Sequence, residues 1–137
     1  MADKSIMADN FRRAAYRHRK DAEKLADHGR YQNAGYLIGY AAECRVKELL
    51  TRYNIIKVGP NSEYRKHFPE LRIHIRLHSQ GRIAKGLAPA LTENFLKGWV
   101  VDLRYEGQIA HENAQQRWER WRKDVERLFK LKHVKRP

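Results

Sequence analysis

What most constrains this chain is a pair of helical patterns with almost nothing between them. Residues 11–28 carry Phe11, Ala14, Ala15, His18, Ala22, Leu25 and Ala26 at three- and four-residue steps, with Arg12, Arg13, Arg17, Arg19 and Lys20 mostly filling the other positions. Asp9 or Asn10 is suited to cap this helix and Gly29 to stop it. Residues 31–53 resume the same period through Tyr31, Ala34, Ile38, Ala41, Ala42, Leu49 and Leu50. Arg30 alone stands between the stop and the new pattern, so the two helices are expected to fold back as an antiparallel hairpin. Gly35 and Gly39 lie inside the second helix, where each glycine costs about 1 kcal/mol against alanine. Their spacing predicts a stripe along which another backbone approaches closely.

The rest of the chain is also helical in pattern. Gly59-Pro60-Asn61-Ser62 reads as a turn and Pro69 as a second break. Residues 72–78 alternate as a strand would, but a single strand has no partner in so helical a chain, so the segment is read as an extended connection. His78-Ser79 could cap a short helix to about Gly86. Pro89 suits the first turn of another, in which Leu91, Phe95, Trp99 and Leu103 recur every four residues until Gly107. Residues 112–132 form the last helix, with Trp118, Trp121, Val125, Leu128 and Phe129 on its apolar stripe. The fold class expected is all-α: an antiparallel up-down bundle of four to five helices over residues 11–132. Residues 1–10 are read as a disordered or tag-like start, with Met-Ala-Asp at 1–3 and again at 7–9, and 133–137 as a basic tail.

Composition narrows the function. At 137 residues the chain suffices for one domain with one core. Its single cysteine, Cys44, excludes an internal disulfide framework and a thiolate zinc finger. No apolar run approaches a membrane span, and the first ten residues lack a signal-peptide core. A soluble, cytoplasmic protein that needs no cofactor is the expectation. Twenty-nine basic residues against 16 acidic ones give a formal charge of +13, which predicts phosphate-rich or otherwise acidic partners. Much of the surplus lies at the C-terminal end, where Arg120, Lys123, Arg127 and Lys130 avoid the tryptophan stripe. They form either a phosphate-binding face or the ordinary solvated face of a basic helix.

Other constellations carry less. His74 and His78, with His67 nearby, have helical metal-ligand spacing but no carboxylate at a suitable offset, so no metal is assigned. Glu43, on a helix of small residues, is expected to make a buried salt bridge to an arginine, or else to take part in acid–base chemistry. Cys44 reads as a small buried hydrophobe. Trp99, Trp118 and Trp121 read as core rather than as base-stacking residues. Tyr105 is the aromatic residue favoured for stacking on a base.

Residues 34–50, Ala-Gly-Tyr-Leu-Ile-Gly-Tyr-Ala-Ala-Glu-Cys-Arg-Val-Lys-Glu-Leu-Leu, resemble the second helix of the HEPN superfamily. That family's His or Tyr ahead of an Asp-Ala pair is matched by His18 with Asp21-Ala22. Its histidine at the start of a short middle helix is matched by His78, and its Trp-x-x-x-x-Arg-Tyr by Trp99 to Arg104-Tyr105. The likeness spans roughly residues 11–131 and implies an all-α bundle that usually forms a homodimer. Many members are RNA-cleaving toxins or defence effectors with an Arg-x(4–6)-His motif; others bind nucleotides, or partner a minimal nucleotidyltransferase that serves as antitoxin.

Arg104 and His111, with six residues between them, fit that motif at the place where the family has its site. Four other Arg/His pairs share the spacing but not the place: Arg12/His18, Arg13/His18, Arg72/His78 and Arg127/His133. His111 would take a proton from a ribose 2′-hydroxyl and Arg104 would bind the phosphate, without a metal, leaving a 2′,3′-cyclic phosphate. Tyr105 follows the arginine where active members usually carry a small polar residue. The alternative is therefore a non-catalytic module that binds RNA or a nucleotide, or pairs with a nucleotidyltransferase. A basic helical adaptor for an acidic protein is the third reading.

Overall fold

A computed structural model describes residues 4–52, 66–78, 86–87 and 89–131, and every regular element among them is helical. Helices α1 (Lys4–Asp27) and α2 (Tyr31–Arg52) form the expected hairpin. They are followed by α3 (Glu70–His78), a 3-10 helix (Val101–Tyr105) and α4 (His111–Phe129). The hairpin reverses at Gly29, whose φ of 74° lies in the left-handed region that glycine enters without steric cost. Backbone N–H groups of Gly29 and Arg30 close the turn on the Ala26 and Leu25 carbonyls at 2.9 and 2.8 Å. Helix α1 starts at Lys4 rather than at residue 11. Ala8 is buried, and Asp9 does not cap the helix but accepts a hydrogen bond from Arg52 at 3.1 Å, tying the start of α1 to the end of α2.

Helix α2 is the centre of the bundle, packed against both α1 and α4. Ion pairs Arg19–Glu126 (2.6 Å) and Arg122–Glu23 (2.9 Å), with an edge contact of Tyr16 on Phe129, run α4 antiparallel to α1. Ile38, Val46, Leu50, Trp118, Trp121, Val125 and Leu128 fill the space between α2 and α4 and the layer beneath α1. Burial of each such side chain stabilises the fold by about 1.5–3 kcal/mol. The two α2 glycines do mark a close approach, but by indole rings more than by backbone. Trp121 lies over Gly35 and Trp99 over Gly39.

Two readings of the middle segment are corrected. The alternating run 72–78 belongs to α3 and is helical, not extended. The decisive residue is Leu71, which with Ile75 makes a four-residue step into the core, while Ile73 stays 47% exposed. The helix expected from Pro89 to Leu103 is instead a series of turns ending in the 3-10 helix. Leu91, Phe95 and Trp99 are buried as their spacing suggests, but Leu96 (φ 51°) and Gly98 (φ 87°) adopt left-handed conformations that an α-helix cannot contain. What holds the turn is α4. Asp124 accepts the Leu96 N–H at 2.9 Å, and Trp121 Nε1 donates to the Lys97 carbonyl at 3.0 Å. The short helix expected after His78 falls mostly outside the described residues, as do the Gly59–Ser62 turn and the basic tail. Among the described residues no helix is long and apolar enough to cross a membrane.

Candidate functional site

The last two residues of the 3-10 helix are Arg104 and Tyr105. Tyr105 is 75% exposed, and the Arg104 guanidinium sits 4.7 Å from its ring centroid. The Tyr105 phenol pushes the Arg104 pKa further up, and the charge also reaches the hydroxyls of Tyr36 and Tyr40 on α2.

Tyr36 and Tyr40, one turn apart, join their hydroxyls at 2.8 Å. Trp99 stacks on Tyr36, meets Tyr40 edge-on, and donates its indole N–H to the Tyr36 carbonyl at 3.1 Å. Burial and the bond to Tyr40 push the Tyr36 phenol far above its ordinary value, so it remains protonated. Two histidines flank Tyr40: His18 of α1 at 5.9 Å and His67, just ahead of α3, at 6.3 Å between ring centroids. Burial, with Arg17 beside it, lowers the His18 pKa and favours the neutral ring.

Beneath this patch lies Glu43, 1% exposed. Its expected arginine partner is not there. Glu43 accepts the Phe68 N–H at 2.9 Å and His67 Nδ1 at 2.9 Å, while Arg45 turns to Glu48 and the Leu131 carbonyl. Position decides this: Glu43 follows Tyr40 by three residues and shares its face, which meets the entry to α3. Lys47, one turn further on, is buried, and desolvation lowers its pKa against the pull of Glu43. Burial raises the Cys44 thiol, as suits a small packed residue rather than a nucleophile.

His111 stands elsewhere. It is the first residue of α4, makes an edge contact with Tyr31 at 5.2 Å, and lines a cleft with Arg30, Gln32, Asn33 and Glu106. Gln32 fixes the intervening loop by donating to Gly107 O at 2.8 Å and accepting from Ile109 N at 3.1 Å. Arg104 and His111 are thus both exposed, one on the Tyr36/Tyr40 side and the other over the hairpin turn. Among the described residues no hydrogen bond or ring contact joins them.

The basic residues of α4 and its C-terminal end do come together. Arg120, Lys123, Arg127 and Lys130 line one shallow groove, together with Arg122, Asp124 and Glu126. Arg127 pairs with Asp124 and Arg122 with Glu23, which neutralises part of the face. Lys123 and Lys130 enter no ion pair among the described residues. Among those residues, too, no three His, Cys, Asp or Glu side chains converge as a metal set. The side chains of His74 and His78 lie outside the described set.

The loop that carries the site is anchored by Glu106, which takes two bonds from Arg117 at 2.6 and 2.9 Å. Those bonds depress the Glu106 pKa below its ordinary 4.5. Its stabilising contribution is therefore complete above that value and is lost as pH falls through the depressed one. Glu106→Gln should cost about 0.5–1 kcal/mol at pH 7, discounted for partial exposure, and much less near pH 2. Urea midpoints at the two pH values measure this, and an equal loss at both would refute it.

Comparison with protein-family models, curated proteins and solved structures found no match.

Proposed function

We propose that this chain is a HEPN-type, metal-independent endoribonuclease, a toxin or defence component of the cytoplasm that cleaves RNA to 2′,3′-cyclic phosphate ends. The observation that supports it is convergence. His18, the α2 segment around Tyr40 and Glu43, Trp99 and Arg104 come from separate stretches of sequence and meet around one polar-aromatic patch. These are positions on which the resemblance rests, and their meeting is not a consequence of spacing within any one helix.

Arg104, exposed and permanently cationic, would bind a phosphate and the charge that grows on it during 2′-oxygen attack. His111 would exchange protons. In a symmetric homodimer Arg104 and His111 of both chains would share one cleft. The groove of Arg120, Lys123, Arg127 and Lys130 would hold the RNA backbone, and Tyr105 would stack on a base.

One observation favours the second reading, a binding module for RNA or nucleotide or for a nucleotidyltransferase: Arg104 is engaged by Tyr105 on a different side of the loop from His111. Incubation of purified protein with mixed RNA in EDTA separates the two. Cyclic-phosphate products, reduced about 100-fold or more by Arg104→Ala and by His111→Ala, are expected for the enzyme. Intact RNA that shifts on a gel at low salt and is released at high salt would select the binding module.

A further inference from the structure

The Glu43–His67 pair is more than a buried ion contact. Glu43 is almost fully enclosed, with one oxygen committed to the Phe68 N–H and the other 2.9 Å from His67 Nδ1. A carboxylate is an acceptor only, so this bond fixes the proton on Nδ1 and leaves Nε2 as the basic nitrogen of the ring. The His67 side chain keeps 42% of its surface in solvent, and among the described residues Nε2 makes no hydrogen bond. A buried carboxylate that sets the tautomer and orientation of a half-open imidazole is the arrangement by which a histidine is held ready to move protons.

Its surroundings connect it to Arg104. His67 packs against the edge of Tyr40, and the Arg104 charge reaches the Tyr40 hydroxyl. The Tyr36 hydroxyl lies in the fields of both Arg104 and Glu43. His67 thus borders Tyr40, within reach of the Arg104 charge, whereas His111 borders Tyr31.

We propose that His67 is a proton-transfer residue of the RNA-cleaving face, with Glu43 as its positioning residue; the proposal rests on the endoribonuclease reading. Nε2 of neutral His67 takes the proton of the ribose 2′-hydroxyl. The 2′-oxygen forms its bond to phosphorus, the bond from phosphorus to the 5′-oxygen breaks, and the leaving oxygen takes a proton from His111 across the dimer cleft, which His111 regains from water. His67 then returns its proton to water. Arg104 binds the non-bridging oxygens throughout.

The test measures kcat and KM on RNA in EDTA for wild type, His67→Ala, His67→Asn and Glu43→Gln, with gel-shift affinity and thermal unfolding of each. His67→Asn retains an amide donor for Glu43 but no titrating nitrogen, so it keeps the fold while removing the chemistry. The expected result is a kcat at least 100-fold lower in both His67 variants, with KM and RNA affinity within threefold. Glu43→Gln should lose about tenfold in kcat, and added imidazole should restore at least tenfold to His67→Ala. Wild-type kcat in His67→Asn, or an activity loss in His67→Ala that imidazole does not relieve, would overturn the role of His67 and leave the endoribonuclease reading intact. Wild-type protein that leaves RNA uncut would overturn both.

Discussion

Gly39→Ala is expected to destabilise the protein by about 2–3 kcal/mol, although alanine is the better helix former by about 1 kcal/mol. A Cβ built on Gly39 meets Trp99 Cε2 at 2.0 Å, Nε1 at 2.1 Å and Cδ2 at 2.6 Å. Relief requires moving the indole, and the indole is held on every side. It is 1% exposed, stacked on Tyr36, set edge-on to Tyr40, and bonded through Nε1 to the Tyr36 carbonyl. A displaced Trp99 would lose that bond and disturb both tyrosines, so the Arg104 side of the proposed site should be perturbed together with the core.

Gly35→Ala is the matched control. There the nearest atoms are Trp121 Cε3 at 3.0 Å and Cζ3 at 3.2 Å, a clash that a few tenths of an ångström relieve. The helix-propensity gain of about 1 kcal/mol offsets most of that cost, so this variant should stay within about 1 kcal/mol of wild type. Urea denaturation of the two variants side by side measures the contrast, provided that m is unchanged. Equal midpoints would mean that Trp99 has an alternative position which the packing does not suggest.

The same residues show how much was legible in the sequence. The hairpin, α2 and α4 were readable because each carries an apolar stripe long enough to establish its period, and a helix buried along one face must repeat that period. The glycine pair announced a close approach, but nothing local to α2 could name the two tryptophans that make it, one 60 residues downstream and the other 86. In α3 the apolar residues satisfy a strand and a helix equally until Leu71 is counted. Over residues 89–103 the four-residue spacing of Leu91, Phe95 and Trp99 correctly marked buried positions while mistaking the backbone that presents them. Burial can be repeated every four residues by turns if something else satisfies the freed backbone groups.

The candidate site divides in the same way. Arg104, Tyr105 and His111 stand out in the sequence because they belong to one motif continuous along the chain. The Glu43–His67 pair joins residues 24 positions apart, across a break in the helical pattern. Glu43 could be suspected from sequence, since a carboxylate on a small-residue helix must have a partner. The partner could not be named, because 17 arginines and seven histidines were equally available to a one-dimensional reading.

The backbone group freed at Leu96 carries the second large effect, and Asp124→Ala is expected to cost about 3 kcal/mol. Asp124 is buried on α4, and its Oδ2 is the acceptor for the Leu96 N–H at 2.9 Å. Removing it leaves a buried donor unsatisfied, which costs about 1–3 kcal/mol. It also removes what holds a non-glycine residue at φ 51°, so the turn is free to relax toward ordinary backbone conformations. The ion pair with Arg127 is lost too, but that arginine is exposed and the pair adds little.

Asp124→Asn keeps a carbonyl oxygen in the same place and should lose only about 1 kcal/mol, as a neutral acceptor replaces a charged one. Hydrogen exchange at the Leu96 amide distinguishes the local role from a general loss of stability. Its protection should fall about 100-fold relative to the amides of α2 in the alanine variant and stay near wild type in the asparagine variant. A uniform loss across the bundle in Asp124→Ala would show that the carboxylate supports the whole α4 interface rather than this turn. The turn sets where Trp99 enters the core, and Trp99 in turn fixes Tyr36 and Tyr40. Asp124→Ala should therefore weaken whatever the Arg104 side binds, without touching a single residue of that patch.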